Sequence, residues 1–257
     1  MGQIIASFSR TIKEFLRERA VLFWTIAWPI IWVIISSTSF LGSVPKTALP
    51  YHRGTITISM MVFALMIAGM ANLPSSITGD RENGMLAKLI SMPISPRSDF
   101  AGRILALGTL SAIAAGLVIA VGFAIGGRFQ GTAFQAGQAA GFLILIVCAS
   151  AGIGLIIGTL IRRQHGAIMT GVGISVVTAS LSGMFAPYKF LPPALQQFSR
   201  IYPISSASNL AKYFLTGEEF VGYNPLTAGH PALTIALSLL LLILGINLYA
   251  RYSWRLE

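Results

Sequence analysis

The sequence predicts an all-α integral membrane protein. Of its 257 residues, 54% are hydrophobic and 10% are charged, whereas a soluble domain has about 25% charged residues. Six segments contain no charge and are long enough for the ~20 apolar residues with which a helix crosses a bilayer. They run between Arg19 and Lys46, Arg53 and Asp80, Arg103 and Arg128, Arg128 and Arg162, Arg163 and Lys189, and Glu219 and Arg251. A soluble helical protein would need polar faces on these helices, which the segments lack.

Each charge-free segment supplies one predicted span. Backbone groups in lipid must be hydrogen-bonded within the protein, and the segments are continuously apolar rather than alternating, so we predict helices and no β-barrel. The spans are placed at about 20–41, 54–77, 104–126, 138–161, 166–186 and 231–250. Residues 1–257 then form a single transmembrane domain with six transmembrane helices.

The basic residues predict how the spans are oriented. If the N-terminus is cytoplasmic, the outer connections hold six of the 18 Lys and Arg residues and the inner side holds the other twelve. The positive-inside rule favours this arrangement, with both termini in the cytoplasm. The net charge of +10 is therefore interpreted mainly as an orientation signal. A nucleic-acid partner is not expected, because no soluble face exists to carry a basic footprint.

Several kinds of site are missing from the sequence. No Asp, Glu, Lys or Arg falls inside a predicted span, which argues against transport driven by protons or sodium. The three histidines, His52, His165 and His230, are far apart, so no metal site is predicted. Cys148 is the single cysteine and is expected to be a buried, inert thiol. The chain has no G-x-x-x-x-G-K-[ST] motif, so any ATP must be bound by another polypeptide.

The N-terminal segment 3–19 is predicted to form an amphipathic helix along the cytoplasmic membrane surface. At 100° per residue, one side of the helix is apolar and the opposite side is basic. The apolar side holds Ile4, Ile5, Phe8, Ile12, Phe15 and Leu16. The basic side holds Arg10, Lys13 and Arg17. The helix is either a basic leader that only orients the chain or a connecting helix that touches a cytoplasmic partner.

The fourth predicted span carries small residues at regular spacing. Ser150, Gly154 and Gly158 are four residues apart, and this small-xxx-small spacing lets two helices approach closely. We expect the row to pack against another helix of this chain or against a second subunit.

The connection before the last span, 187–230, is long and largely apolar. A structureless loop of this length is uncommon, so short amphipathic helices are predicted near 192–200 and 204–215. They form either a lid or re-entrant element at the outer mouth of a pathway, or a simple surface hairpin. The residues assigned to the lid are Leu191, Pro192, Leu195, Pro203 and Lys212.

Two stretches carry a resemblance to a known family. The connection between the second and third spans, 79–103, contains DRENGMLAKL at 80–89, then Pro93 and Gly102-Arg103. Residues 182–212 read SGMFAPYKFLPPALQQFSRIYPISSASNLAK. Both resemble motifs of the membrane subunit of type-2 ABC transporters, a family that includes drug-efflux and polysaccharide-export permeases. The six-span layout extends the resemblance over the chain, although Met85 and Ala87 stand where the family usually has Thr and Glu.

The resemblance implies a cytoplasmic coupling helix within 79–103 that docks on a separate ABC ATPase. Asp80 and Glu82 suit the first turn of such a helix, where the macrodipole favours acids, and Pro93 would stop it. An ordinary solvated loop is the alternative. The residues assigned to coupling are Asp80, Arg81, Glu82, Asn83, Gly84, Leu86, Lys88, Leu89 and Pro93, with Arg10, Lys13 and Arg17 nearby.

The same resemblance implies a function. The chain would be the permease subunit of an exporter that moves a drug-like molecule, a lipid or a glycan-lipid outward across a bacterial or archaeal plasma membrane. It would not itself be an enzyme, because ATP and Mg²⁺ would bind to two copies of the ATPase. A second permease copy, by default identical, would complete the path, with a different permease as the alternative. An ion-coupled secondary transporter and a non-transport membrane scaffold are the rival classes.

Overall fold

The computed structural model describes residues 2–39, 42, 44–85, 88, 96–185, 188–227 and 229–252. Within these ranges the regular structure is helical and contains no strand, so the all-α prediction is confirmed. We number ten α-helices among the described residues. They are α1 (Gly2–Arg17), α2 (Arg19–Ser39), α3 (Leu49–Glu82), α4 (Pro96–Ala124), α5 (Ala133–Leu160), α6 (Gln164–Leu181), α7 (Pro193–Ile201), α8 (Pro203–Thr216), α9 (Glu218–Val221) and α10 (His230–Tyr252).

Five of the helices in the described part of the chain are long and apolar enough to cross a membrane. They are α2, α3, α4, α5 and α10. Helix α6 covers most of the fifth predicted span, but it is 18 residues long, begins with Gln164 and His165, and is not among the five. Because five helices are long and apolar enough to cross a membrane, the chain is a multi-pass membrane protein.

Helix α3 is the centre of the bundle. In its apolar window, 94% of the residues are buried inside the protein, against at most 44% in the other four candidate spans. Helices α2, α4, α5, α6 and α8 all pack against it. Two helices also contain a π-helical turn, Phe23–Ala27 in α2 and Ala68–Asn72 in α3. Thr25 and Asn72 join these turns through side-chain hydrogen bonds of 3.1 and 3.3 Å.

Small residues let α5 lie directly against α3. A Cβ atom on Gly154 would collide with the carbonyl oxygen of Gly69, and a Cβ on Gly69 would collide with Ser150. One turn later, a Cβ on Gly158 would lie 3.1 Å from the Cα of Pro74. The row Ser150, Gly154 and Gly158 thus faces a helix of the same chain, where larger side chains would force the helices apart.

Helices α7 and α8 form a hairpin at one end of the bundle, which we call the hairpin end. Each helix begins at a proline, Pro193 and Pro203, because proline has no N–H to leave unsatisfied in the first turn. Twelve of the 14 residues of α8 are buried, since α8 is packed between α3, α5 and α10. At the opposite end, which we call the α1 end, α1 packs along α4.

Candidate functional site

Four charged side chains meet at the α1 end, and we call them the charge cluster. Arg10 comes from α1, Asp80 from α3, and Asp99 and Arg103 from α4. Arg103 is 0% exposed, Asp99 1%, Asp80 5% and Arg10 23%. Two guanidinium groups and two carboxylates therefore share a largely buried site where the end of α3 and the start of α4 meet the middle of α1.

The geometry within the cluster alternates positive and negative groups. The Nε of Arg103 donates to Asp99 at 2.8 Å, and the same guanidinium also pairs with Asp80. The guanidinium of Arg10 lies 2.9 Å from the Asp80 carboxylate and 3.2 Å from that of Asp99. Each carboxylate thus contacts both arginines. Pairing of this kind is required here, because an isolated buried ion costs several kcal/mol of stability.

Neutral side chains complete the hydrogen bonds around the charge cluster. The Arg103 guanidinium donates to Ser76 Oγ at 2.5 Å, and Ser76 Oγ donates to Glu14 at 2.7 Å. Ser7 Oγ donates to Asp99 at 2.8 Å. Burial and the nearby Asp80 carboxylate raise the pKa of Glu14 above its usual value, against the lowering effects of Ser76 and the two arginines. The charge of Glu14 is therefore only partly compensated by its neighbours.

A glycine on α4 allows α1 to pack closely against α4 beside the charge cluster. A Cβ atom on Gly102 would lie 2.8 Å from the carbonyl oxygen of Ile4 and would also meet Ser7. With glycine at this position, the two helices lie close enough for Ser7 and Arg10 to reach Asp99. The two residues therefore have different roles. Gly102 leaves room for α1, and Arg103 forms ion pairs with both carboxylates.

The structure corrects the expected place of Asp80 and Glu82. Both lie in the last turns of α3 and not in the first turn of a separate helix. Helix α3 continues past its apolar run because Asp80 finds buried cationic partners there. The helix ends at Asn83 and Gly84, where Gly84 has a φ of +65°, a conformation that favours glycine.

The predicted coupling residues divide into two groups. Asp80 is buried in the charge cluster, and Arg81 donates to the carbonyl oxygen of Ile161 at 3.3 Å. Glu82, Asn83, Gly84 and Lys88 are exposed. Leu86, Leu89 and Pro93 lie outside the described residues. The exposed residues are thus available to a partner, whereas Asp80 serves the internal structure.

The three residues of the basic face predicted for α1 also differ in their surroundings. Lys13 and Arg17 are exposed, but Arg10 points inward to Asp80 and Asp99. Sequence reasoning missed Asp99 and Arg103 as partners of Arg10 and Asp80. Their spacing of four residues on α4 was an available signal for an ion pair on one helix face. The pairing to α1 and α3 had no such signal, because it joins segments that are distant in sequence.

A cleft opens beside the charge cluster. It lies between α1, the end of α3 and the start of α6, and Gln164 crosses its edge by donating to Ser75 Oγ at 3.1 Å. The residues that line it include three acids and few apolar groups. They are Glu14, Phe15, Glu18, Ser75, Ser76, Gly79, Asp80, Asn83 and Gln164.

The hairpin end has a second buried polar region, which we call the hairpin network. Asn209 on α8 donates to Ser199 Oγ and to Tyr223 OH, both at 3.1 Å. Ser199 donates to the carbonyl oxygen of Ser182 at 3.1 Å. The Arg200 guanidinium donates to Tyr188 OH at 2.7 Å and lies 4.7 Å from the ring centre of Tyr223. These contacts fix α7 against α8 and the end of α6.

The predicted lid residues surround this network. Leu191 and Pro203 are buried, Leu195 is half-buried, and Pro192 is the N-cap residue of α7. Lys212 on α8 is 4% exposed, and burial lowers its pKa to about 8. No acidic side chain of the described residues pairs with it.

The chain matches a model of a known protein family. The family model described as ABC-2 type transporter matches residues 2–214, which includes the charge cluster, the 79–103 connection and most of the hairpin. No curated protein matches the chain closely enough to count as a relative. Pairing with an ABC ATPase is general in this family. A match over most of the chain, on an all-helical bundle of membrane-crossing helices, shows that the protein belongs to the ABC-2 type transporter family and is a membrane transport component.

Proposed function

We propose that the chain is the permease subunit of an ABC exporter that moves an amphipathic or hydrophobic cargo outward. A separate ATPase subunit supplies the work. The observation that carries this proposal is the charge cluster, together with the family match. The cluster joins α1 to the end of α3 and to the start of α4, which are the helix ends on either side of the 79–103 connection. A force applied to that connection would therefore act on three helices at once.

The proposal places the α1 end in the cytoplasm and the hairpin end outside. Six crossings, with α6 as the fifth along the chain, bring both termini to the cytoplasmic side of a bacterial or archaeal plasma membrane. The excess of basic residues at the α1 end supports this orientation. Drug-like molecules, lipids and glycan-lipids are the cargo classes that suit a pathway between largely uncharged helix faces.

In this proposal the exposed residues after the cluster dock on the ATPase. All four residues are exposed: Glu82 ends α3, Asn83 and Gly84 follow it directly, and Lys88 comes four residues after Gly84. Closure of two ATPase subunits around ATP and Mg²⁺ would push this connection as a rigid body. The acidic cleft beside it, lined in part by Glu14 and Glu18, gives basic side chains of the ATPase a second contact.

Two permease copies form the complete path in this proposal, by default as a homodimer. Much of the apolar surface of the outer helices is not buried within one chain, since at most 44% of the apolar windows of α2, α4, α5 and α10 is buried. A second copy and lipid would share that surface. The hairpin network would lie near the outer mouth, where α7 and α8 act as a lid.

Reconstitution with an ABC ATPase tests the proposal. Cargo efflux from proteoliposomes should require ATP and should fall strongly in Glu82→Ala and Gly84→Pro variants, because they alter the exposed end of α3. Glu218→Ala, an exposed acid at the hairpin end, is the matched control and should transport normally. Full efflux in both coupling variants would show that the ATPase drives the permease through another part of the chain.

The same experiment separates the rival classes. Efflux that persists without ATP but stops when the ion gradient is collapsed would identify a secondary transporter. A chain that binds no ATPase and moves no cargo under any gradient would identify a membrane scaffold.

A further inference from the structure

Helix α8 buries the polar face that an amphipathic helix normally turns to water. At 100° per residue, one sector of the helix is entirely polar, and its members are at most 4% exposed. They are Ser205, Ser208, Asn209, Lys212 and Thr216. Most apolar residues of the helix are buried as well, because α8 is packed between α3, α5 and α10. A polar sector that carries one positive charge is therefore enclosed at the hairpin end.

Some members of this polar sector have hydrogen-bond partners and others have none. Asn209 donates to Ser199 Oγ and to Tyr223 OH. Ser208 Oγ is buried and forms no hydrogen bond within the described residues. The amine of Lys212 likewise forms no hydrogen bond and no ion pair within them. A buried ammonium and a buried hydroxyl without partners both cost stability, so a purely structural role does not account for them.

A second cation at the hairpin end also has no acidic partner. Arg200 donates to Tyr188 OH at 2.7 Å and lies 4.7 Å from the ring centre of Tyr223, but it forms no ion pair with the described residues. Burial raises the pKa of Tyr223 to about 12, so this phenol stays neutral and supplies no counter-charge. Asn209 links the two cations, because it donates to Tyr223 and lies one turn before Lys212.

We propose that the hairpin end binds the anionic group, a phosphate or a carboxylate, of an amphipathic cargo, with Lys212 and Arg200 as its cations and Ser208 as a hydroxyl donor. Ammonium and guanidinium groups donate strong, charge-assisted hydrogen bonds to such oxygens. Beside these groups, Phe190 is 82% and Ile201 54% exposed, and they contact the apolar part of the cargo. The inference rests on the proposed function and names the chemical class of the cargo.

Movement of α7 gives the anion access to the polar sector. Ser199 on α7 accepts from Asn209 on α8 and donates to the carbonyl oxygen of Ser182 at the end of α6. These hydrogen bonds join neutral groups, so α7 can move away from α8 without separating an ion pair. An anion that enters between the two helices then pairs with the cations and compensates for the hydrogen bonds that α7 loses.

Calorimetric titration of the full chain tests this site without any ATPase. The protein is reconstituted in nanodiscs of phosphatidylcholine, and empty nanodiscs serve as the blank. Octyl phosphate, octyl glucoside and octyltrimethylammonium are added in separate titrations, since they share an alkyl chain and differ in the charge of the headgroup. Octyl phosphate should bind saturably at a single site in each chain. The neutral and cationic probes should only partition into the lipid.

Substitutions assign the binding to the buried lysine. Lys212→Gln should weaken the binding of octyl phosphate by about tenfold or more, because a hydrogen bond between charged groups is lost. Lys212→Arg keeps the charge and should keep most of the affinity. Arg128→Gln removes an exposed charge at the same end and should leave the affinity unchanged. Since Lys212 has no partner in the free protein, its replacement should not impair folding, which thermal unfolding of each variant checks.

Three results would overturn the proposal. They are octyl glucoside binding as tight as that of octyl phosphate, no saturable binding of octyl phosphate, and binding that is undiminished in the Lys212→Gln protein. Inorganic phosphate distinguishes the source of the anion. If it binds as tightly as octyl phosphate, the site takes a free anion and its assignment to an amphipathic cargo is wrong.

The efflux experiment separates this inference from the proposed function. A chain that binds octyl phosphate through Lys212 but fails to export cargo keeps the anion site and rejects the proposed function. ATP-driven efflux by a chain that binds no octyl phosphate keeps the proposed function and rejects the anion site.

Discussion

The two ends of the bundle both bury polar groups, but with different chemistry. The charge cluster at the α1 end uses four formal charges, three of them at most 5% exposed. The hairpin network is built mainly from neutral hydroxyl and amide groups, such as Asn209, Ser199 and Tyr223. The α1 end is held by ion pairs, whereas the hairpin end is held mainly by hydrogen bonds between neutral groups and has Arg200 as its one charged member.

This difference sets how easily each end can rearrange. Separating a buried ion pair leaves uncompensated charge, which costs about 3–5 kcal/mol. Breaking a neutral hydrogen bond costs about 0.5–1.5 kcal/mol when the groups find new partners. In the proposed exporter, the α1 end would therefore move as one rigid unit. In the same proposal, the hairpin end would open and close.

The largest effect is expected for Arg103→Ala. The change leaves Asp80 and Asp99 buried without their fully enclosed cation, so the free energy of unfolding should fall by about 3–5 kcal/mol. Thermal unfolding of the purified protein in detergent measures it. Arg128→Ala, at an exposed position, is the control. A loss no larger than that of the control would mean that the cluster is not held by its charges.

Lys212→Met should stabilise the hairpin end. The pKa of Lys212 falls from 10.5 to about 8 on folding, which corresponds to a penalty of up to about 3 kcal/mol at neutral pH. Because the folded pKa is the lower one, the gain should be complete below pH 8 and should vanish as pH rises towards 10.5. Unfolding temperatures measured across that range give the profile.

Lys189→Met is the matched control for that prediction, since Lys189 is exposed on the same segment. A gain in the Lys212 variant that does not change with pH would show that packing, and not the buried charge, is responsible.

Asn209→Ala should have a smaller effect. It removes the donor to Ser199 and Tyr223, so we expect a loss of about 1–2 kcal/mol in the free energy of unfolding. Gln130→Ala, an exposed amide at the same end, should change little. If Asn209→Ala costs as much as Arg103→Ala, the two ends do not differ in the way described.

Glu14→Gln should have the smallest effect on stability. It tests the carboxylate that is linked to the charge cluster through Ser76. Burial and Asp80 raise the pKa of Glu14 in the folded protein, so the wild type loses stability as pH rises through that pKa. The glutamine variant should unfold at an equal or higher temperature at neutral pH, with a flatter pH profile. Glu218→Gln, at an exposed position, should keep the wild-type profile. A destabilised Glu14→Gln protein would mean that Arg10 requires this carboxylate.

The positions of the helices were easier to predict from the sequence than the contacts between their charged side chains. Each of the six predicted spans overlaps a helix of the described residues, because apolar runs between charges are a local property of the sequence. The predicted ends were less accurate. The second span was predicted to end at 77, but α3 continues to Glu82, since charged side chains stay in a helix when they find partners. The fifth predicted span gave α6, which at 18 residues is shorter than the helices at the other five predicted spans and is not among the candidate membrane spans.

Composition and charge spacing by themselves determined that this protein is helical and crosses a membrane, because burial in lipid depends on the summed hydropathy of continuous segments. Only the tertiary structure decided the roles of the charged residues. Asp80 and Glu82 are two positions apart, yet one is buried and the other exposed. Arg10 and Asp99 are 89 residues apart, yet they are in contact. A charge is stabilised by whatever lies around it in space, and the packing of α1 on α4 through Gly102 brings those partners together.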